Sequence, residues 1–230
     1  MIRVAVAGAA GRMGEQVCSA VTGAADMELV GGADPVLDST LQDVLPKADV
    51  VVDFTQPDTA LQNALACVAA GVHVVIGTTG FDAAPLRGIL DRPACSDETG
   101  PRANVLIAPN FAIGAVLMMR FSEEAARHMA KAEIVELHHD GKLDAPSGTA
   151  ARTAELIAAA STGDTPPIHS VRLPGLVAHQ DVIFGDLAQT LTIRHDTTGR
   201  EAFMPGVLLA VRRVASLPER FVVGLENLLF

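Results

Sequence analysis

The sequence predicts an α/β protein with two domains, and three observations support this prediction. Short apolar runs alternate with helical patterns from Met1 to Pro109, which is typical of a parallel sheet covered by helices. Strand-like runs separated by turn residues then follow one another between 170 and 195, which favours an open α+β sheet. Finally, 230 residues with 49% hydrophobic content suffice for one large or two small well-buried domains.

Charge, cysteine content and the N-terminus indicate which partners and which cellular location to expect. The formal net charge is −10 and lysine and arginine form no cluster, which argues against a nucleic-acid partner. Cys18, Cys67 and Cys95 are widely spaced without a Cys-x-x-Cys pair, which favours reduced thiols. The N-terminus lacks a secretory leader pattern. The longest apolar region, 105–119, falls short of the roughly 20 residues that span a bilayer. We therefore expect a cytoplasmic protein without a membrane partner.

A glycine-rich turn follows the first predicted strand, Ile2 to Ala7. It reads Gly8-Ala9-Ala10-Gly11-Arg12-Met13-Gly14, and a helix is predicted from Glu15 to Val21. Glycines suit a tight turn where a pyrophosphate approaches backbone N–H groups at a helix start. The second predicted strand, Leu29 to Ala33, ends at Asp34, about 20 residues beyond the loop, where an acid bonds the adenosine ribose. The glycine spacing is Gly-x-x-Gly-x-x-Gly and not the commoner Gly-x-Gly-x-x-Gly, but the strand, the helix and the acid around the loop strengthen the signal. The first domain is therefore predicted to be Rossmann-like and to bind a dinucleotide.

The rest of the first domain follows the same alternation. Its predicted elements are the strands Asp49–Phe54, His73–Ile76 and Val105–Ala108, and the helix Asp58–Ala70. Gly77, Thr78 and Thr79 follow the fourth strand, at the carboxyl end where open parallel sheets bind ligands. The alternative for these residues is an ordinary turn between a strand and a helix.

The second domain has its own predicted elements. They are the helices Gly114–Ala130 and Gly148–Ala160, and the strands Glu133–Leu137, Ser170–Leu173, Val177–Phe184 and Gln189–His195. A final helix, Pro205–Ser216, and a short strand, Phe221–Leu225, close the chain. The histidines at 73, 128, 169, 179 and 195 are scattered, and we interpret each as structural.

The stretch from Glu136 to Ala150 concentrates chemically active residues. It reads Glu-Leu-His-His-Asp-Gly-Lys-Leu-Asp-Ala-Pro-Ser-Gly-Thr-Ala. The β-forming residues before His138 and His139 predict that both leave a sheet edge, where side chains enter a cleft. A free histidine titrates near 6.5, so it can donate or accept a proton close to neutral pH. Lys142 adds a second cation to this region.

The same stretch contains a helix start. Pro146 breaks any earlier helix and Ser147 is a favourable N-cap, so Gly148 and Thr149 are predicted to open a helix. The first backbone N–H groups of a helix lack internal partners and attract a carboxylate or phosphate. The stretch therefore combines proton donors with an anion site.

This stretch resembles the signature of the dihydrodipicolinate reductase family: Glu-x-His-His, then Lys, then Asp-x-Pro-Ser-Gly-Thr-Ala. Every fixed position is matched, and the resemblance runs from the glycine loop to Arg200 and Phe203, so it covers essentially the whole chain. It implies NAD(P)H-dependent reduction of 4-hydroxy-tetrahydrodipicolinate, a small dicarboxylate, to tetrahydrodipicolinate with loss of water, in the diaminopimelate route to lysine.

The resemblance also implies roles for individual residues. His138 is the expected general acid, and Lys142 the second cation that holds a substrate carboxylate and assists proton transfer or water loss. His139 and the backbone of Gly148 and Thr149 are expected to bind the substrate. The expected cofactor-binding residues are Gly8, Ala9, Ala10, Gly11, Arg12, Met13, Asp34, Gly77, Thr78, Thr79, Ala108, Pro109, Asn110 and Phe111. Glu136 and Asp144 are interpreted as orienting partners.

The nucleotide preference depends on two opposed charges. Asp34 favours NADH, because its carboxylate repels the 2′-phosphate of NADPH. Arg12 acts in the opposite sense, and many family members accept both nucleotides through basic residues near this loop. We therefore expect use of NADH or NADPH, with a preference for NADH.

Domain boundaries and assembly also come from the resemblance. Residues 1–109 and about 197–230 are expected to form the dinucleotide-binding domain, and 110–196 the domain for substrate binding and oligomerisation. The family implies a homotetramer built through the sheet of the second domain. The loop from Ser161 to Pro167 is shorter than in the relatives considered.

Two other functions compete with the reductase, and a metal site is disfavoured. A semialdehyde dehydrogenase needs a cysteine nucleophile, and none of the three cysteines lies in a plausible catalytic turn. A non-catalytic dinucleotide sensor would not need His138, Lys142 and Thr149 together. No His-Glu-x-x-His motif is present, so no metal is expected.

Overall fold

The computed structural model describes residues 1–91, 102–161 and 163–230, which form two compact units. The first unit combines Met1–Phe111 with Phe203–Phe230, and the second unit is Ala112–Ala202. Cys95, predicted to be a reduced thiol, lies outside the described residues.

The elements alternate through the first unit before the chain enters the second. Up to residue 111 they are β1 Ile2–Ala7, α1 Arg12–Gly23, β2 Met27–Ala33, α2 Leu41–Val44, β3 Val50–Asp53, α3 Pro57–Ala69, β4 His73–Ile76, α4 Ala84–Leu90 and β5 Val105–Ile107. The second unit contains α5 Ile113–Ala126, β6 Lys131–His138, α6 Gly148–Ala160, β7 Ile168–Arg172, β8 Ala178–Asp186 and β9 Gln189–Thr197. The first unit is completed by α7 Met204–Arg213 and β10 Phe221–Val223.

The first unit is built on a six-stranded sheet in the order β10-β5-β4-β3-β1-β2, with every neighbouring pair parallel. This confirms the Rossmann-like fold predicted from the sequence. β1 lies between β2 and β3, so the strand order reverses there and a crevice opens at the carboxyl ends of these strands.

Buried strands explain why this sheet forms. Val4, Val6, Val51 and Val52 are all completely buried, as expected for strands covered by helices on both faces. Continuous β-branched residues both extend the backbone and fill the space between sheet and helices. Their burial fixes the ends of β1 and β3, where the crevice lies.

The second unit contains a four-stranded mixed sheet in the order β7-β6-β8-β9. β6 pairs in parallel with β7 and antiparallel with β8, and β8 pairs antiparallel with β9. The predicted open mixed sheet is therefore confirmed. Gln180, Val182 and Phe184 alternate along β8 as its buried residues, so one face of the sheet carries the core.

A buried hydrogen bond attaches α6 to this sheet. Gln180 Nε2 donates to Thr153 Oγ1 over 2.9 Å, and Thr153 Oγ1 donates to the Thr149 carbonyl one turn earlier over 2.7 Å. Both side chains are buried, so neither can exchange its partner for water. This pair positions the first turn of α6, which the sequence predicts to be an anion site.

Some element boundaries differ from those predicted. The helix predicted to reach Ala130 ends at Ala126, because Lys131 already pairs with Gly185 in the sheet and the chain needs room to turn. The short helices α2 and α4 were not predicted, since four and seven residues carry too little periodicity to distinguish them from loops. In the described part of the chain, no helix combines the length and apolar character needed to cross a membrane.

We expect Thr153→Val to lower the free energy of unfolding by about 1–3 kcal/mol, because it keeps the side-chain shape but leaves buried Gln180 without its acceptor. Urea unfolding followed by far-ultraviolet circular dichroism measures the change. Thr22→Val, the same substitution at an exposed position on α1 whose hydroxyl also donates to the carbonyl four residues earlier, is the matched control and should change stability by less than about 0.5 kcal/mol. Equal effects of the two substitutions would contradict the role assigned to the buried pair.

Candidate active site

The glycine loop of the first unit is shaped by close backbone contacts. Gly8 has a φ of +78°, and a Cβ atom there would lie 2.7 Å from the Phe54 carbonyl oxygen. A Cβ on Gly14 would lie 2.0 Å from the Gly8 carbonyl oxygen. Side chains at these positions would therefore push the loop away from β3 and from α1. Gly11 is the N-cap of α1, which leaves the first turn of this helix facing the loop.

The other residues predicted in this loop surround the same turn. Ala9 is buried, Ala10 and Met13 are half-buried, and Arg12 is exposed as the first residue of α1. The side chain of Arg12 is therefore on the solvent-exposed side of the loop and does not pack in the core.

Asp34 lies at the end of β2 and contacts the loop directly. Its Oδ2 accepts a hydrogen bond from the Ala10 backbone N–H over 3.1 Å, and its Oδ1 accepts one from the Val36 N–H over 2.9 Å. The sequence predicted both the loop and the acid, and the structure brings them together.

A cleft of about 580 Å³ opens at this point. Gly8, Gly11 and Asp34 line it together with Asp38 and Thr55, and no lysine or arginine is among its described lining residues. Glycine backbone suits a pyrophosphate, and the Asp34 carboxylate beside it suits a ribose diol. The residues present therefore fit a dinucleotide.

Phe54 connects this cleft with the other predicted cofactor segments. A Cβ on Gly77 would lie 2.1 Å from the Phe54 ring, and the Phe111 ring centroid is 5.7 Å from that of Phe54. Thr78 is buried and its Oγ1 donates to the Thr55 carbonyl over 2.9 Å. The turns after β3, β4 and β5 are thus packed against one another.

The remaining predicted positions differ in exposure. Ala108 is buried, and its N–H donates to the Ile76 carbonyl over 2.9 Å. Thr79 and Pro109 are exposed and Asn110 is half-buried, so these three are accessible from solvent.

Asp53 is a residue of this region that the sequence did not reveal. It is completely buried at the end of β3 and accepts hydrogen bonds from the Thr55 N–H, the Thr55 Oγ1 and Asn63 Nδ2, over 2.9, 2.7 and 2.8 Å. These bonds fix the turn that carries Phe54 and Thr55. An acid directly after three valines is the signal that indicates such a role.

In the second unit, the candidate proton donor is held by a buried carboxylate. His138 is the last residue of β6, and Glu136 lies two residues earlier on the same face of the sheet. The Nδ1 atom of His138 forms a hydrogen bond with Glu136 Oε2. An ionised carboxylate only accepts hydrogen bonds, so Nδ1 carries the proton and Nε2 is the ring atom that can exchange one with a ligand.

Glu136 is completely buried and is neutralised by Arg172 at the end of β7. The guanidinium donates from Nη2 to Oε1 over 2.7 Å and from Nη1 to Oε2 over 3.0 Å. Burial raises the pKa of Glu136, but hydrogen bonds from Arg172, Ser170 and His138 outweigh burial and hold it below its ordinary value. Glu136 is therefore an anion at neutral pH.

The pKa of His138 reflects opposing influences. Burial lowers it, the hydrogen bond and charge of Glu136 raise it, and the positive charges of Lys142 and Arg172 lower it. The net result is a pKa below the ordinary value of histidine. A bound anion next to Nε2 would raise it again, so ligand binding and protonation of His138 are coupled.

Lys142 lies in the turn after His138. Its N–H donates to the His139 carbonyl over 3.1 Å, and its Nζ donates to both carboxylate oxygens of Asp144 over 2.6 and 2.7 Å. The hydrogen bonds from Lys142 hold the pKa of Asp144 below its ordinary value. The His139 side chain is exposed and forms no hydrogen bond within the described residues.

The predicted helix start is present. Ser147 is the N-cap of α6, and its Oγ accepts a hydrogen bond from the Ala150 N–H over 3.2 Å. A Cβ on Gly148 would contact nothing within 4 Å, so the space above the first turn is open. The predicted start of α6 at Gly148 is confirmed.

Arg172 is the residue of this second site that sequence patterns missed. It lies 36 residues beyond Glu136, and only the parallel pairing of β6 with β7 brings the two together. The alternation Ser170-Val171-Arg172 beside Glu136-Leu137-His138 is the signal that points to it, once the pairing is known. Among the residues described, no cluster of three or more histidine, cysteine, aspartate or glutamate side chains could hold a metal ion.

The fold and these two sites are typical of a nicotinamide-dependent oxidoreductase, with a cleft that fits a dinucleotide in one unit and a cluster of His138, Glu136 and Arg172 in the other. Two family models match the chain, one for the N-terminus of dihydrodipicolinate reductase over residues 2–111 and one for its C-terminus over residues 114–229. The chain therefore belongs to the dihydrodipicolinate reductase family.

Individual relatives agree with this assignment over the full length. The chain is 50% identical to the 4-hydroxy-tetrahydrodipicolinate reductase of Thermobifida fusca (strain YX) over 254 residues, covering 100% of this chain and 99% of the relative. It is 48% identical to the enzyme of that name from Nocardia farcinica (strain IFM 10152) over 250 residues, covering 99% and 98%. A solved structure, dipicolinate-bound dihydrodipicolinate reductase from Paenisporosarcina sp. TG-14, has a TM-score of 0.82 and 36% identity and covers 99% of each chain.

We expect Glu136→Gln to lower the pKa of His138 further, because the carboxylate that raises it is replaced by a neutral amide. An NMR titration of the seven histidine rings measures this shift, with the His138 signal identified by its loss in His138→Gln. Glu133→Gln, an exposed position on the same strand, should leave the pKa of His138 unchanged. A rise in the pKa of His138 in Glu136→Gln would contradict the assigned electrostatics.

Proposed function

We propose that this chain catalyses the NAD(P)H-dependent reduction of 4-hydroxy-tetrahydrodipicolinate to tetrahydrodipicolinate with loss of water, in the diaminopimelate route to lysine. The observation that carries the proposal is the full-length similarity to enzymes named for this reaction, at 50% and 48% identity. The residues of the second unit are those that the reaction needs: a proton donor, a second cation and an anion-binding helix start.

The first unit would hold the cofactor through the glycine loop. Backbone N–H groups at the start of α1 would bind the pyrophosphate, and Asp34 the adenosine ribose. The turns Gly77–Thr79 and Ala108–Phe111 would line the nicotinamide side. When bound, the reduced nicotinamide supplies the hydride.

The second unit would hold the dicarboxylate and supply the proton. We assign the proton donor to His138 Nε2, since Nδ1 is engaged by Glu136. Lys142 would hold a substrate carboxylate, and the Gly148 and Thr149 backbone would bind an anionic group at the start of α6. His139 would contact the substrate from its exposed position. The dipicolinate bound to the Paenisporosarcina enzyme supports a small dicarboxylate as ligand.

The charges of this unit favour an anionic ligand. Lys142 and Arg172 are paired with Asp144 and Glu136, so protonation of His138 leaves the cluster with an excess positive charge. A carboxylate near Nε2 stabilises that charge and keeps His138 in the acid form needed for proton donation. Substrate binding would thus prepare its own proton donor.

The described cysteines give no support to a semialdehyde dehydrogenase. Burial raises the pKa of Cys67 to about 12, and burial also raises the pKa of the Cys18 thiol. A thiol must ionise to act as a nucleophile, so neither residue is activated for that chemistry.

Assembly and location complete the proposal. We assign the oligomerising role to the second unit and propose a homotetramer in the cytoplasm. The side chain of Ile183 is exposed on the face of β8 that lies opposite the buried Val182 and Phe184, and Leu187 is exposed at the turn of the β8–β9 hairpin. Exposed apolar side chains on this face support a surface that a partner covers.

The proposal is tested by following NADH and NADPH consumption, with substrate generated in place from pyruvate and aspartate semialdehyde by the preceding synthase. The wild type should turn over. His138→Gln should lose about 10²–10⁴-fold in kcat, the usual contribution of a general acid, while it still binds NADH. His128→Gln, at an exposed position outside the site, should keep wild-type activity. Absence of turnover by folded wild-type protein that binds NADH would favour the sensor function.

The nucleotide preference has its own test. Asp34→Asn removes a negative charge from the cleft wall, and we expect it to raise the NADPH to NADH ratio of kcat/KM by about tenfold, equivalent to about 1.4 kcal/mol. Glu28→Gln makes the same charge change at an exposed position on β2, outside the cleft, and should leave the ratio unchanged. An unchanged ratio in Asp34→Asn would show that Asp34 does not set the preference.

A further inference from the structure

Arg172 contacts both halves of the proton-donor site. On one side its guanidinium donates two hydrogen bonds to Glu136, whose carboxylate holds His138. On the other side, Nη2 also donates to the Asp144 carbonyl over 2.8 Å, and the Asp144 carboxylate holds the Nζ of Lys142. Arg172 thus connects His138 and Lys142, through Glu136 on one side and Asp144 on the other.

The position of Arg172 is fixed by the sheet. His138 and Arg172 are paired residues of the parallel strands β6 and β7, and Glu136 pairs with Ser170 one step earlier. Arg172 Nη1 also donates to the Val171 carbonyl over 2.7 Å, and the side chain is only 19% exposed. Arg172 is therefore held by strand pairing and by four hydrogen bonds to three acceptor residues.

A lysine could not reproduce this arrangement. The guanidinium is planar and presents several N–H groups in a fixed fork, which suits simultaneous bonds to the two oxygens of one carboxylate and to a neighbouring carbonyl. An ammonium group at this position would keep the positive charge but could not bind Glu136 and the Asp144 carbonyl in the same geometry. The requirement at this position is therefore geometric as well as electrostatic.

We propose that Arg172 is the positioning residue of the active site, holding the proton donor His138 and the second cation Lys142 in one fixed arrangement. The inference rests on the proposed function. Without Arg172, the buried Glu136 carboxylate keeps only weaker partners, so it moves or takes up a proton, and His138 Nδ1 loses its acceptor. The loop that carries Lys142 loses its anchor at the same time.

Kinetics with added guanidinium test this role. Arg172→Ala should lower kcat by about 100-fold, the effect of a small misplacement of reacting groups, without changing the affinity for NADH. Guanidinium ion at about 50 mM, well below the molar concentrations that unfold proteins, should occupy the vacated space and restore activity by about tenfold. A residue that only stabilises the fold would not show this recovery.

The matched control is Arg127→Ala. Arg127 also bridges two carboxylates, those of Glu123 and Glu124, but on the surface of α5. This variant should keep wild-type kcat and show no activation by guanidinium. Wild-type kcat in Arg172→Ala, or a loss that guanidinium does not reverse in folded protein, would overturn the proposal.

Arg172→Lys serves if the alanine variant does not fold. This variant should keep the fold and the affinity for NADH but lower kcat. Long-range ¹H–¹⁵N NMR should show that the neutral ring of His138 is no longer protonated only at Nδ1. Wild-type kcat together with an unchanged His138 tautomer in this variant would also overturn the proposal. The NMR measurement needs no substrate, so it distinguishes failure of this inference from failure of the proposed reaction, which the wild-type assay tests.

Discussion

The second unit depends on the buried ionised carboxylate of Glu136. A charge without water is tolerated only when it is paired and hydrogen-bonded, and removing one partner of a buried pair costs about 3–5 kcal/mol. Arg172 donates to both oxygens of the carboxylate, and His138 Nδ1 is a second partner of Oε2. The hydrogen bond between His138 and Glu136 helps to stabilise the buried charge of Glu136, and it also fixes the tautomer of His138. One interaction therefore contributes both to the stability of the sheet and to the chemistry of the histidine.

The two units would bind anionic ligands by different means under the proposed function. In the first unit the binding surface is mainly backbone: Gly8 and Gly14 let the chain approach closely, and the start of α1 faces the loop. In the second unit charged side chains surround a proton donor, and α6 adds a second helix start. A dinucleotide pyrophosphate needs only fixed dipoles, whereas proton transfer requires a group that titrates.

These sites exist in a chain whose formal net charge is −10. Salt screens exposed charges beyond about 8–10 Å, so a bound carboxylate responds mainly to the groups around it. Lys142, Arg172 and the first turn of α6 supply local positive potential. The carboxylates of Asp34 and Asp38 make the lining of the cleft in the first unit negative. Under the proposed function, they disfavour the extra phosphate of NADPH.

Local sequence patterns predicted most of the strands and longer helices and the local motifs. The valine-rich runs, the glycine loop, Asp34 at the end of β2 and the Ser147 cap of α6 are each encoded within a few residues, so local periodicity and capping rules predict them. Short helices such as α4 were not predicted, because they contain too few residues for a periodic pattern. Only the tertiary structure revealed Arg172, the Asp53 network and the packing of Phe54 against Phe111. These contacts depend on which strands become neighbours, and local sequence patterns do not specify strand order.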